Sequence, residues 1–291
     1  MRKRIKTLSG FAVFILSHRR ADRVITYETL RRSGYTGKIY VVIDDEDPTR
    51  AEYEKKFGAE LIVFSKKKAA EITDVADNAK ELRGVVYARN MNFKIAEDLG
   101  IKHFIQLDDD YRHFQFRFDD KGQYCPMVSK NLDRVFAALV RFYISSGAAT
   151  VAISQGGDFI GGSGSPFSDI LMLKRKAMNL FVCSTERPFR FYGRINEDTT
   201  AYVHLGSTGK LFFTSNQISL EQTQTQANAG GLTEIYLDSG TYVKSFYSVI
   251  FQPSCVKVKI LQSKNQRLHH SVAWKNAVPM ILREQLRKPN K

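Results

Sequence analysis

Cysteine is scarce in this chain: Cys125, Cys183 and Cys255 are the only three in 291 residues, and no two form a CxxC pair. Such spacing supports neither a disulfide framework nor a structural zinc site, and it fits a reducing cytosol. Long apolar runs are missing as well. The run Phe11–Leu16 follows basic residues but stops at Ser17-His18-Arg19-Arg20. That is far short of the roughly 18 apolar residues of a spanning helix, and no small-residue cleavage site follows. A soluble chain with no membrane partner is the expectation. Acidic charge is the minority, 30 Asp and Glu against 44 Lys and Arg, a net +14 that favours polyanionic partners.

Several catalytic signatures are also absent. There is no HExxH and no GxSxG. Leu205–Phe212 (LGSTGKLF) lacks the GxxxxGK[ST] spacing of a phosphate loop, and Gly161–Phe167 (GGSGSPF) is not a GxGxxG turn. The six histidines form no ligand-spaced motif, and no internal repeat is present. With 43% hydrophobic and 25% charged residues the chain is ordinary globular material, so disorder and collagen-like or coiled-coil readings are poor.

What is present is alternation. Short apolar, β-branched runs alternate with helical patterns through the first half, which predicts βαβ units around a largely parallel sheet. Gly10–Ser17, Lys38–Ile43, Glu60–Phe64 and His103–Leu107 are the expected strands. Ala21–Arg32, a segment opened by Pro48, and Val85–Leu99 are the expected helices. Further on, Leu132–Ser145 predicts a helix and Thr150–Ile153 a strand, before the glycine-rich Gly156–Phe167. Strand-like segments follow at Asp169–Leu173, Lys210–Phe213, Tyr242–Ile250 and Cys255–Leu261. The polar Gln222–Gly231 is expected as a mobile loop, and Leu282–Lys291 as a short helix with a basic tail.

Chemistry concentrates at the ends of the expected strands, where ligands of open α/β sheets gather. Asp108-Asp109-Asp110 stops the strand HFIQL, and in strand geometry Asp108 and Asp110 point to one side. Such a pair suits Mg2+ or Mn2+, which takes one or two carboxylates and fills its shell with water and phosphate oxygens. An acidic turn capping a helix is the plainer alternative. Asp44–Asp47 closes another strand, where a carboxylate could accept hydrogen bonds from a base or ribose, or be only a turn. Ser17, His18 and Arg19 follow the first strand. Arg89 and Asn90 sit early in a helix near the same edge, Arg89 as a holder of diphosphate or as a solvated helix residue. Glu197-Asp198 follows an arginine-rich run and offers a general base, an electrostatic stabiliser or a helix cap. Lys66–Lys68, Arg187, Arg190, Arg194 and the tail Arg283–Lys291 are candidate phosphate contacts, with Phe189, Phe191 and Tyr192 interleaved.

The ordered set, a strand ending in SHRR, a strand ending in an acidic turn, an ARN helix, FIQLDDD and a downstream ED pair, resembles the GT-A glycosyltransferases. Within them, FIQLDDDYRHF, YGRINEDTTAYVHLGSTGKLFF and SGTYVKSFYSVIFQPSCVKV look like the TET-associated glycosyltransferases of phages. The resemblance implies a Rossmann-like α/β nucleotide-sugar-binding sheet with helices on both faces and a C-terminal, acceptor-side elaboration. It implies one integrated domain, with a nucleotide-sugar half over residues 1–125 and an acceptor half over 126–291. It implies Asp108 and Asp110 at Mn2+ or Mg2+, though three consecutive aspartates leave open which two touch the ion. Ser17, Arg19, Asp44, Arg89, Asp108 and Asp109 would bind the donor, a UDP-sugar by family likeness. Glu197 and Asp198 would face the acceptor, 5-hydroxymethylcytosine in phage DNA, with Arg187, Arg190 and Arg194 on its phosphates. The infected host's cytoplasm is the implied location, and no obligate protein partner is implied. The alternative is a GT-A enzyme acting on a glycan or lipid-linked acceptor.

Overall fold

The computed structural model describes residues 10–78, 81–155, 169–222, 233–261 and 266–280, with backbone alone at 233–241. Its strands are β1 (Phe11–Leu16), β2 (Lys38–Asp44), β3 (Leu61–Phe64), β4 (His103–Asp108), β5 (Tyr111–Phe118), β6 (Tyr124–Val128), β7 (Thr150–Gln155), β8 (Leu171–Met172), β9 (Leu180–Ser184), β10 (Phe212–Gln222), β11 (Val256–Leu261) and β12 (Arg267–Val272). Its helices are α1 (Ile25–Arg32), α2 (Arg50–Phe57), α3 (Lys66–Glu71), α4 (Val86–Asp98), α5 (Leu132–Ser146), α6 (Glu197–Ser207), α7 (Thr233–Phe251) and α8 (Trp274–Ala277).

The main sheet runs β3-β2-β1-β4-β9, parallel except for β9. All six residues of β1 are buried, because helices cover both faces and a parallel strand so placed must be apolar throughout. Val13 and Ile15 face Leu30 of α1, Tyr53 of α2 and Phe136 and Val140 of α5. Ala12, Phe14 and Leu16 face Tyr87 and Ile95 of α4 and Tyr202 of α6. Leu16 pairs with Val42 on one side and Asp108 on the other. That register brings the carboxyl ends of β1, β2 and β4, and with them Ser17, Asp44 and Asp108, to one edge.

A second sheet runs β6-β5-β10-β7, with β8 paired to β10. The Thr150 hydroxyl of β7 donates to the Val182 carbonyl of β9 at 2.8 Å, joining the two sheets. Residue 125 lies inside β6, and each sheet takes strands from both sides of it. The two expected halves are therefore interleaved.

The expected strand at Tyr242–Ile250 is instead part of the long helix α7. Its aromatic and β-branched content favours a strand, but Ser245 and Ser248 are buried while Tyr242, Phe246 and Ile250 are exposed. That spacing has the period of a helix, packed on α6 and on the ribbon β11–β12. The expected helix Ala21–Arg32 is split into a 3-10 turn, Ala21–Arg23, and α1. Gly156–Phe167, the tail 282–291 and all but Gln222 of the expected loop lie outside the described residues.

Candidate active site

The three aspartates diverge. Asp109 turns inward: it is 4% exposed, accepts from the Ser17 hydroxyl at 2.6 Å, and pairs with Arg20 at 3.0 Å. Ser17 also meets the Tyr53 hydroxyl at 2.7 Å. Asp109 and Ser17, both expected at the donor, are thus engaged with each other and with α2. Asp108 is one third exposed, its Oδ1 accepting from Arg89 Nη2 at 2.9 Å and its Oδ2 from the Tyr111 hydroxyl at 3.2 Å. Burial, together with repulsion from Asp108 and Asp109, pushes Asp110 up to about 7. Crowded hard oxygens with too little positive charge are a fitting donor set for a divalent ion. Among the described residues no group of three or more His, Cys, Asp or Glu forms a closed metal cage. An ion at Asp108 and Asp110 would complete its shell from donor phosphate and water.

At the end of β2, Asp44 meets His18 Nδ1 at 2.9 Å and Lys66 Nζ at 3.2 Å. Burial would raise its carboxyl, but the hydrogen bond from His18 and the charge of Lys66 outweigh it and hold Asp44 below the ordinary range. Lys66, a candidate phosphate contact in sequence, is therefore a buried partner of Asp44. Arg19 occupies the left-handed region at φ 56°, and its amide donates to Asp47 at 2.8 Å. The loop after β1 is in this way pinned to the acidic turn after β2.

Arg89 joins this edge to the ED pair. It is 3% exposed, its Nε donating to Glu197 at 2.9 Å while Nη2 holds Asp108. Its guanidinium lies 5.1 Å from the Phe181 ring centroid and 5.7 Å from that of Phe191. Burial alone would lower its pKa, and the charges of Asp108 and Glu197 outweigh burial and raise it. Expected on the diphosphate, Arg89 is a buried bridge between two carboxylates.

Glu197 and Asp198 open α6, where the helix dipole favours carboxylates. Burial raises Glu197 to about 7 against the pull of Arg89, with Asp198 adding to the rise. Asp198 is only half-buried and is the accessible member of the pair. Asn196, at φ 57°, makes the turn into the helix and is held by its side-chain amide, which donates to the Lys244 carbonyl of α7 at 2.7 Å. Asparagine tolerates that backbone better than most residues.

The three arginines expected at acceptor phosphates lie apart. Arg194 is bidentate to Asp77 at 2.9 Å and donates to the carbonyls of Glu81 and Arg83 at 2.5 and 2.6 Å. With its side chain 5% exposed, it clamps a loop and has no face left for phosphate. Arg187 follows β9, whose end pairs with the start of β4, so it sits at the opposite sheet edge from Asp108, stacked 4.1 Å over Tyr143. Arg190 is exposed and bonded to the Ile72 carbonyl. Sequence reasoning missed Tyr111, Phe181 and Asn196, which support the charged residues, and placed Phe191 among the phosphate contacts, whereas it packs beside Arg89. For Tyr111 and Asn196 the available signal was adjacency to DDD and ED; Phe181, inside β9, had none.

No curated protein sequence is significantly similar to the chain. Among solved structures, it is similar to TarS of S. aureus at 15% identity and a TM-score of 0.44, over 73% of this chain and 36% of that one. It is similar to the mannosyltransferase PcManGT of Pyrobaculum calidifontis, in complex with GDP-Man and Mn2+, at 13% identity and a TM-score of 0.47, over 82% and 64%. It is also similar to residues 1–349 of S. aureus TarS in complex with UDP-GlcNAc, at 12% identity and a TM-score of 0.44, over 78% and 63%. The chain spans less than two thirds of the length of each. The sequence profile of the TET-associated glycosyltransferases matches residues 11–231, most of the chain, which therefore belongs to that family.

Proposed function

We propose that this family member moves a sugar from a nucleotide sugar, UDP-linked, to the hydroxyl of 5-hydroxymethylcytosine in phage DNA. The observation that carries the reading is Arg89, which ties Asp108 at the end of β4 to Glu197 at the start of α6. One buried side chain spanning the two supports reading the metal-type edge and the ED pair as a single site. Asp108 and Asp110 would hold Mn2+ or Mg2+, which supplies positive charge to the departing diphosphate. Asp44, kept ionised by His18 and Lys66, accepts hydrogen bonds from the nucleoside. Asp198 takes the proton of the acceptor hydroxyl, a weak nucleophile at neutral pH. Glu197, fixed by Arg89, positions Asp198.

The test is incubation with a panel of nucleotide sugars and hydroxymethylated DNA, followed by nucleoside mass spectrometry. A glycosylated hydroxymethylcytidine is expected, absent when the DNA lacks the hydroxymethyl group. Transfer to a glycan acceptor with no nucleoside product would overturn the DNA reading.

A further inference from the structure

We propose that the ribbon β11–β12 is a docking surface for the phosphate backbone of double-stranded DNA. It lies beyond residue 231, where the family profile match ends. Strand register puts Lys257, Lys259 and Leu261 on one face, opposite Ser271, His269 and Arg267. Lys257, Lys259 and Arg267 are exposed. An acid across from either lysine would stabilise the ribbon by a cross-strand ion pair. Here Lys259 faces His269, and from Ser239 to Arg283 the sequence holds seven Lys and Arg and no Asp or Glu.

The other face is packed at its root, while Ile260 near the tip is 62% exposed. Val256 is 1% exposed, and the ring of His270 lies 3.4 Å from the side-chain amide of Asn196, immediately before Glu197. The root of the ribbon therefore touches the ED turn while its basic face looks outward. Positive potential continues inward: burial, Lys176, Arg267 and Lys244 all disfavour the charged form of His269. Burial holds Lys244 below the ordinary lysine range, against the pull of Asp198 and with the help of Arg267 and Lys176. A two-stranded ribbon has the width that the major groove of duplex DNA admits, and lysine and arginine are the residues that hold phosphate. The C5 substituent of cytosine projects into that same groove.

The inference rests on the reading of DNA as acceptor, and its test is independent of transfer. The triple variant Lys257→Gln, Lys259→Gln, Arg267→Gln is compared with Lys38→Gln, Lys121→Gln, Lys130→Gln, which removes equal charge from exposed sites elsewhere. Fluorescence anisotropy with a short unmodified duplex is recorded across a salt series, with UDP affinity as the control for folding. The ribbon variant should lose about tenfold or more in affinity at physiological salt, and its salt slope should fall by about 2 to 3, roughly one per phosphate contact. The control variant should keep most of the slope. Equal slopes in the two variants would overturn the proposal even if the wild type glycosylates DNA. A ribbon-specific loss of duplex binding without any glycosylated nucleoside would uphold the ribbon and reject the acceptor reading. Tighter wild-type binding to heparin than to duplex, lost in the ribbon variant, would assign the face to acidic polysaccharide and overturn the proposal, as would tighter binding to single-stranded DNA.

Discussion

Arg89 decides how the charged residues of the site are arranged. Its two carboxylate partners are distant in sequence, yet both bonds are 2.9 Å and the guanidinium lies against two aromatic rings. Removing one member of such a buried network leaves the others uncompensated, which costs more than the pair contributes. Glu197 makes this measurable through pH. Its ordinary value is 4.5 and its folded value about 7, so the folded state favours the protonated form. The stability from this group is fully present below about 4.5 and is lost as pH rises through about 7. Glu197→Gln should flatten that part of the profile, so that urea midpoints at pH 5 and pH 8 differ less than in the wild type. A variant whose midpoints fall between these pH values as steeply as the wild type would contradict the assignment. These residues were only partly legible in sequence. Asp108 and Glu197 stood out because each follows or opens a regular element, whereas the inward turn of Asp109 depends on Ser17 and Arg20 at the far end of β1.

The elements that carry the site were legible where one face or both had to be apolar. β1, β2 and β4 announce themselves as continuous buried runs, and α4 by its spacing. α7 did not, since residues that favour strands were overridden by packing on α6 and the ribbon. β5 was missed although YRHFQFRF carries the apolar–polar alternation of a half-buried strand, because it follows directly on the acidic triplet. Packing also sets a sign at Gly206 in α6. Glycine to alanine inside a helix ordinarily gains about 1 kcal/mol. A methyl group at Gly206 would run into the carbonyl oxygen of Ala277 at the end of α8. Overpacking against backbone costs about 1–3 kcal/mol. Gly206→Ala should therefore lower the denaturation midpoint, and a raised midpoint would show that α8 yields freely.

Across the whole molecule, the excess of positive charge was plain in the composition, but its placement was not. Arg194 and Lys66 are spent inside, on Asp77 and Asp44, while Lys257 and Lys259 of the ribbon lie in the expected strand Cys255–Leu261 and Arg267 lies beyond it. Register alone revealed that Lys257, Lys259 and Arg267 share a face. The sheet edge at Asp108 and the helix start at Asp198 come from opposite halves of the chain, and the account holds that they are one catalytic site. The most direct measurement is single-turnover transfer to hydroxymethylated duplex at saturating donor, for the wild type and Asp198→Asn, with donor affinity measured separately. Turnover should fall about 10²–10⁴-fold with donor affinity unchanged. Wild-type turnover in Asp198→Asn would contradict it.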